Sequence, residues 1–136
     1  MIFVNTAEGA AQLSEALKNE GIDCAQFHKL SENRHEELQK FRQGSAKLIV
    51  CTDSAARGLD LPNVRHVIQA EFALNVVQHM HRIGRASRGG VSGRATSIYD
   101  SNSDLIVESI KSGIVSSFSR RRGLRKKWKK VNSGNL

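Results

Sequence analysis

The segment HRIGRASRGG, at residues 81–90, carries one histidine and three arginines within eight residues. If the segment is helical, at about 100° per residue, Gln78, His81, Arg85 and Arg88 fall within roughly 80° of one another, and Arg82 lies outside this stripe. Guanidinium groups bind phosphate through paired hydrogen bonds and stay charged at neutral pH. The spacing therefore predicts that Arg85 and Arg88 bind a shared anion and that an acidic neighbour holds Arg82. Taken alone, these residues fit a solvated, arginine-rich helix face equally well.

Other polar residues follow the ends of predicted strands. Asn5 and Thr6 come directly after an apolar N-terminal run, and Thr52 ends the apolar run KLIVCT. The loop RGLD, at residues 57–60, lies just beyond it. In open parallel sheets, ligands usually bind at the carboxyl ends of the strands. The sequence therefore predicts that these residues lie at a binding edge.

Strand and helix patterns that alternate along the chain position these residues. The run KLIVCT is apolar without alternation, which is typical of a strand buried on both faces of a parallel sheet. A helix is predicted from Val76 to Arg88, and a capping box at Ser101–Asp104 predicts a last helix that ends near Gly113. Further helices are predicted to begin after Thr6 and after Ser31. Strands are predicted at residues 1–4, 24–28, 47–52, 64–70 and 95–99. Repeated strand–helix pairs predict an α/β fold with an open parallel sheet covered by helices on both faces.

The net charge of the chain is confined to its C-terminal end. Residues 119–136 contain eight lysines and arginines and no acidic residue, whereas residues 1–118 hold 13 basic and 13 acidic residues. We predict one globular domain over residues 1–118 and a basic, disordered tail over residues 119–136. Because Trp128 lies among the cations and can stack on an unpaired base, the tail is predicted to bind single-stranded nucleic acid without sequence preference. A solubilising or targeting tail is the alternative.

Composition argues against several classes of protein. The sequence has no apolar window of the length that a membrane span needs and no secretion signal at its N-terminus, so an intracellular protein is expected. Cys24 and Cys51 stand in apolar runs and are predicted to be buried, reduced thiols. No metal site is expected, because the ligand set that zinc requires is missing. Asp53 fits either a general base or a partner for a nearby arginine.

Three segments, in this order and at these intervals, resemble motifs IV, V and VI of the DEAD-box RNA helicases. They are MIFVNT at residues 1–6, CTDSAARGLDLPNV at residues 51–64 and HRIGRASRGG at residues 81–90. The resemblance covers residues 1 to about 113 and corresponds to the C-terminal RecA-like domain of that family. It implies a RecA-like fold of the type found in helicase domain 2, without a phosphate-binding loop of its own.

The resemblance also assigns the contacts with the nucleotide. Arg85 and Arg88 match the arginine fingers that reach across a cleft to the γ-phosphate of ATP when the two helicase domains close. Asp60 matches the aspartate that binds the ribose, and Gly58 matches a position where the backbone comes close to the nucleotide.

Further positions match residues that contact RNA or the other helicase domain. The family positions that bind the RNA sugar-phosphate backbone are Asn5, Thr6, Arg34 and Thr52. Such contacts hold RNA without selecting a sequence. The positions that couple this domain to the acidic motif of the N-terminal domain are Arg57, His81 and Arg82.

The sequence departs from the family pattern at several positions. Ser31 stands where the family usually has a glutamine, three residues before Arg34. His79 stands where an aromatic residue is common, two residues before the histidine of motif VI. Ala86-Ser87 replaces the usual Thr-Gly. These departures bear on one RNA contact and on the local geometry of motif VI.

Two motifs that phosphoryl transfer requires do not occur in the sequence. The 136 residues contain no G-x-x-x-x-G-K-[ST] loop and no Asp-Glu-Ala-Asp segment. The first cradles the phosphates, and the second holds Mg²⁺. The resemblance therefore implies one wall of an active site for ATP, with Mg²⁺ held by the missing N-terminal RecA-like domain.

Two functional hypotheses follow. The first is the second half of a DEAD-box ATP-dependent RNA helicase, inactive alone and monomeric, which works with RNA and with its N-terminal RecA-like domain. The second is a non-catalytic RNA-binding or adaptor module derived from a helicase half. A strand that begins at residue 1, without a leading turn, also favours a segment of a longer protein.

Overall fold

The structure is a computed structural model that describes residues 1–61, 63–86 and 92–112, together with the backbone of residues 125–126. The chain divides into two units, Met1–Pro62 and Asn63–Leu136. Each unit has its own parallel strands with helices between them. The predicted α/β fold with parallel strands is confirmed.

Over residues 1–61, the first unit contains three strands and three helices. They are β1 (Ile2–Val4), α1 (Ala7–Asn19), β2 (Ala25–Phe27), α2 (Arg34–Arg42), β3 (Ile49–Thr52) and α3 (Asp53–Ala56). β3 lies in the centre, and both β1 and β2 pair with it in parallel. Every residue of β3 is buried. This burial explains why the sequence of the strand is apolar without alternation.

Local sequence signals set where the helices of the first unit begin and end. Thr6 caps α1, because its side-chain oxygen accepts a hydrogen bond of 3.0 Å from the main-chain N–H three residues later. α1 ends before Gly21, whose φ of 76° is readily adopted by glycine. The cap residue of α2 is Asn33. Ser31, the predicted cap, instead accepts a hydrogen bond of 3.2 Å from the main-chain N–H of His28.

The described residues of the second unit also alternate between strands and helices. They form β4 (His66–Gln69), α4 (Val76–Ile83), β5 (Arg94–Ser97), a short 3-10 helix (Ser101–Ser103), α5 (Asp104–Lys111) and β6 (Arg125–Lys126). β5 pairs in parallel with both β4 and β6. Phe72, Val107 and Ile110 form a buried apolar cluster in this unit, and Val76 of α4 packs against it. The cluster joins α4 to α5.

Two helix boundaries in the second unit differ from the prediction. α4 ends at Ile83 with Gly84 as its cap, and a 3-10 turn follows, so the prediction of an α-helix is wrong over residues 84–86. The last two residues of the predicted helix, Ser87 and Arg88, lie outside the described residues. Glycine lowers helix stability by about 1 kcal/mol relative to alanine, which favours an end at this point. The predicted capping box at Ser101–Asp104 is also wrong. Asp100 caps the 3-10 helix there, and α5 begins after it.

The predicted basic tail lies largely outside the described residues. Within it, the backbone of Arg125–Lys126 forms β6 beside Arg94 and Ala95 of β5. Among the helices that the structure describes, none is long and apolar enough to cross a lipid bilayer. Cys24 and Cys51 are buried free thiols, as predicted.

Candidate functional site

Three of the predicted RNA-binding residues meet at one edge of the first unit. Val4, the last residue of β1, lies opposite Thr52, the last residue of β3. Asn5 and Thr6 directly follow Val4, so they come next to Thr52 at the carboxyl ends of two paired strands. Thr52 is buried, Asn5 is half-buried and Thr6 is exposed. This edge therefore combines an amide and two hydroxyl groups.

The chemistry of this edge suits a phosphate oxygen. Thr6 caps α1 with its side-chain oxygen, and its hydroxyl hydrogen remains available for donation to an acceptor. The N-terminus of α1 starts here, where main-chain N–H groups favour anions, although Glu8 in the first turn offsets part of that field. The hydroxyl of Thr52 lies 3.3 Å from that of Ser54. Such an edge can hold a sugar-phosphate backbone without reading bases.

Arg34 lies on a different element from these three residues. It is the exposed first residue of α2, and α2 packs on β2, which pairs with β3 on the side away from β1. Ser31 bonds to the turn that follows β2, so it shapes the approach to α2. Arg34 therefore follows the carboxyl end of β2, a parallel neighbour of β3, on a helix of its own.

A carboxylate fastens α2 to the strand beside it. Glu37 accepts a hydrogen bond of 3.0 Å from the main-chain N–H of Gln26 in β2 and forms an ion pair with Lys40. Burial raises the pKa of Glu37, but the hydrogen bonds from Lys40 and from Gln26, with the charge of Lys40, outweigh it and leave the pKa lowered. The same contact raises the pKa of Lys40. Glu37 is therefore ionised at neutral pH and holds α2, with Arg34, in place.

The loop assigned to the nucleotide follows α3. Gly58 has a φ of 73°, and a Cβ added there would have no atom within 4 Å, so the requirement for glycine comes from the backbone angle. Asp60 and Arg57 are both exposed. The guanidinium of Arg42, at the end of α2, donates a hydrogen bond of 3.3 Å to the main-chain oxygen of Asp60. This contact fixes the loop that presents the Asp60 carboxylate.

The cations of motif VI occupy very different environments in the second unit. His81 is exposed on α4, whereas Arg82 is only 1% exposed. Arg82 donates hydrogen bonds to the amide oxygen of Gln69 at 3.3 Å and to the main-chain oxygen of Glu71 at 2.7 Å. It points away from His81, as the helical spacing predicted. Arg85 is half-buried in the turn after α4.

Arg88 lies outside the described residues, whereas Ala86 and Gly93, which flank it in the sequence, are described. Gly93 packs directly on Ala86: a Cβ added at Gly93 would lie 1.6 Å from the main-chain oxygen of Ala86. The backbone of Gly93 therefore lies against the backbone of Ala86. Arg85 directly precedes Ala86, so this backbone contact lies next to the first of the two predicted arginine fingers.

No metal-binding group is formed by the residues that the structure describes. None of their histidine, cysteine, aspartate and glutamate side chains form a group of three or more that could hold a metal ion. Burial lowers the pKa of His28 and of His66, which favours their neutral forms.

Sequence reasoning missed three residues that support the site. Arg42 contacts the Asp60 loop, Gly93 packs on Ala86 beside Arg85, and Gln69 binds Arg82. The sequence carries no local signal for Arg42 or Gln69, because their partners lie 18 and 13 residues away. A glycine shortly after an arginine-rich segment was the one available hint for Gly93.

Comparison with known proteins agrees with this arrangement. Residues 1–90 match the family model described as the helicase conserved C-terminal domain. A DEAD-box ATP-dependent RNA helicase 22 of Oryza sativa subsp. japonica is 45% identical over 138 residues, which cover 96% of this chain and 24% of the rice protein. The chain thus spans about a quarter of the length of this relative.

Solved structures of helicases share the fold. S. cerevisiae Dbp5 L327V bound to RNA and ADP BeF3 has a TM-score of 0.75 at 29% identity, covering 96% of this chain and 34% of that chain. Domain 2 of the Mss116p DEAD-box helicase, bound to an RNA duplex, has a TM-score of 0.73 at 26% identity, covering 97% of this chain and 52% of that chain.

Proposed function

The chain belongs to the DEAD-box RNA helicase family as its C-terminal, RecA-like domain, and we propose that it forms one half of an RNA-dependent ATPase that unwinds RNA duplexes. One copy of this domain works with one N-terminal RecA-like domain. ATP is the nucleotide substrate. RNA is bound through its backbone, without sequence preference.

The proposal is supported above all by the edge at which Asn5 and Thr6 come next to Thr52. Two motifs that are far apart in the sequence place their polar side chains at the ends of paired strands. Hydroxyl and amide groups at such a position suit the ribose and phosphate oxygens of one RNA strand. Domain 2 of Mss116p, which is similar to this chain, is bound to an RNA duplex.

In the proposed reaction, this chain stabilises charge and does not supply the nucleophile. Arg85 and Arg88 donate hydrogen bonds to the γ-phosphoryl oxygens as negative charge moves over them in the transition state. Asp60 accepts hydrogen bonds from the ribose hydroxyls, and Gly58 allows the close approach of the backbone. The exposed side chains of Arg57 and His81 contact the N-terminal domain when the two domains close on ATP.

Mg²⁺ belongs to the other half of the active site in this proposal. The residues of this chain that the structure describes provide no group of carboxylates for it, and hard divalent cations require oxygen ligands. The N-terminal domain would hold Mg²⁺, which neutralises charge on the phosphates when it is bound.

The experiment is a chimera with the rice relative. The segment of that protein that matches this chain is replaced by this chain, and ATP hydrolysis is measured with and without single-stranded RNA. We expect RNA-stimulated turnover in the chimera and none in the 136-residue chain alone. Arg85→Ala should lower kcat by about 10³-fold, the smallest effect typical of an arginine finger.

Arg65→Ala is the matched control, because Arg65 is an exposed arginine of the same unit that has no assigned role. It should leave kcat unchanged. If the chimera binds RNA but does not hydrolyse ATP, the helicase proposal is wrong and the non-catalytic RNA-binding module takes its place.

A further inference from the structure

Three buried polar side chains in the second unit meet at a fourth, the side chain of Gln69. Gln69 is the last residue of β4 and has no exposed surface, and it contacts Ser97 at the end of β5 and both His79 and Arg82 of α4. All four side chains are at least 94% buried. One amide therefore ties two strands to the helix that carries motif VI.

The hydrogen-bond chemistry of this cluster has one consistent solution. Arg82 can only donate, so the amide oxygen of Gln69 must face it, at 3.3 Å. The amide nitrogen then faces Ser97 Oγ and His79 Nδ1, each at 2.8 Å. Because an amide nitrogen only donates, His79 Nδ1 accepts, and the ring carries its proton on Nε2. Arg82 thereby sets the orientation of Gln69, and Gln69 sets the tautomer of His79.

The same contacts fix how α4 is rotated against the strands. His79 and Arg82 are three residues apart, so they lie on one face of the helix and both point to Gln69. The ring of His79 also packs on Phe72, with 5.4 Å between ring centroids. A rotation of α4 would break the bonds of a buried guanidinium and of a buried amide together, which is costly in a low-dielectric interior. Arg85 lies in the 3-10 turn two residues after the last residue of α4, so the position of its backbone depends on how this helix is held.

We infer that Gln69 is a positioning residue for Arg85, which acts by holding the buried face of α4 in one rotation. This inference rests on the proposed function, because it concerns the arginine finger of that reaction. Arg82, which is 1% exposed, belongs to the same positioning cluster and does not contact ATP itself.

The test uses substitutions at Gln69 in the rice chimera. Gln69→Met keeps the length of the side chain and removes its polar atoms, and we expect kcat for RNA-stimulated ATP hydrolysis to fall at least about tenfold with KM for ATP changed less than about twofold. Gln69→Glu should retain kcat within about threefold, because a carboxylate can accept from Arg82, from the Ser97 hydroxyl and from the other neutral tautomer of His79. Gln26→Met is the matched control. It removes another glutamine–histidine contact, the one to His28 in the first unit, and should leave kcat unchanged.

A double-mutant comparison separates positioning from general stability. In the Arg85→Ala chimera, Gln69→Met should lower kcat by less than about twofold, because the residue that it positions is gone. An equal loss in both backgrounds would overturn the inference, and so would an unchanged kcat in Gln69→Met alone. If Gln69→Met does not fold, Gln69→Asn replaces it. Asparagine is one methylene shorter than glutamine, so kcat of Gln69→Asn should be about tenfold lower than kcat of Gln69→Glu. Equal kcat values for these two variants would refute the inference.

The outcome for the unmodified chimera keeps this inference distinct from the proposed function. An unmodified chimera without RNA-stimulated ATP hydrolysis would refute the proposed function. If the unmodified chimera is active and its Gln69→Met variant keeps full activity, only the positioning role of Gln69 is refuted.

Discussion

Gly93→Ala perturbs the backbone contact between Gly93 and Ala86, the residue after Arg85, without changing any charge. In the structure, a Cβ at Gly93 would lie 1.6 Å from the main-chain oxygen of Ala86 and 2.8 Å from its Cβ. Real Cβ contacts essentially never fall below 3.0 Å, so the two backbone stretches must separate by about 1.4 Å. A side-chain rotation cannot relieve the contact, because the main-chain atoms of Ala86 cause it.

The size of this shift gives the expected effect on catalysis. Ala86 directly follows Arg85, and a misplacement of about 1 Å in a catalytic group can cost about 10²-fold in rate. We therefore expect Gly93→Ala to lower kcat for RNA-stimulated ATP hydrolysis about 100-fold in the rice chimera. RNA affinity should change less than about threefold, because the edge formed by Asn5, Thr6 and Thr52 lies in the other unit.

The assay compares steady-state ATP hydrolysis and RNA binding in the unmodified, Gly93→Ala and Ser92→Ala chimeras. Ser92 is an exposed neighbour, so Ser92→Ala controls for substitution in the same loop and should match the unmodified protein. Thermal unfolding of each variant shows whether the assay temperature lies below its Tm, since overpacking costs about 1–3 kcal/mol. A folded Gly93→Ala protein with kcat within about threefold of the unmodified one would refute the claim that this contact positions Arg85.

Three further predictions concern other parts of the site. Glu37→Gln should lower the free energy of unfolding by about 1 kcal/mol at pH 7. Because the pKa of Glu37 in the folded protein is lowered below its usual value of 4.5, this difference in stability should shrink as pH falls below about 4.5 in urea unfolding curves. A difference that does not depend on pH would contradict the ionised contact. Asp60→Ala should raise KM for ATP about tenfold or more, and Arg42→Ala should raise it less, because Arg42 only holds the Asp60 loop; unchanged KM values in both would reject the ribose assignment. Removal of residues 120–136 should reduce the slope of log K against log salt for RNA binding by up to about 5 or 6 if all eight cations engage phosphates, and an unchanged slope would reject RNA binding by the tail.

The architecture was largely predictable because its signals are local. The unbroken apolar run that forms β3 indicated a strand buried on both faces, and Thr6 was correctly predicted to cap α1. The same kind of signal failed at the end of α4. There, the regular spacing of arginines favoured a helix as far as Arg88, but the helix ends at Ile83 and Gly84 is its cap. Periodicity describes side chains, whereas a helix end depends on the backbone as well.

The placement of site residues was predictable only where strand pairing determines it. Asn5, Thr6 and Thr52 follow strands, and parallel pairing brings strand ends together. The partners of Arg82 were not predictable, because Gln69 and Glu71 reach it through tertiary packing and are neutral acceptors at the contacting atoms. The departure from the family at His79 was visible in the sequence. Its consequence was not, since it requires knowing that the ring faces Gln69.

The burial of Arg82 changes how the residues assigned to domain coupling should be divided. Arg57 and His81 are exposed, so a second domain can reach them without any rearrangement of this one. Arg82 could touch another domain only after its bonds to Gln69 and Glu71 break, and a buried guanidinium stripped of its acceptors is strongly unfavourable. Direct coupling through Arg82 would therefore oppose domain closure, whereas coupling through Arg57 and His81 would not. The charge of Arg82 is better explained by its effect on α4. Because Arg82 is always protonated and can only donate, the Gln69 amide has one possible orientation and His79 has one possible tautomer, and these bonds fix the rotation of α4.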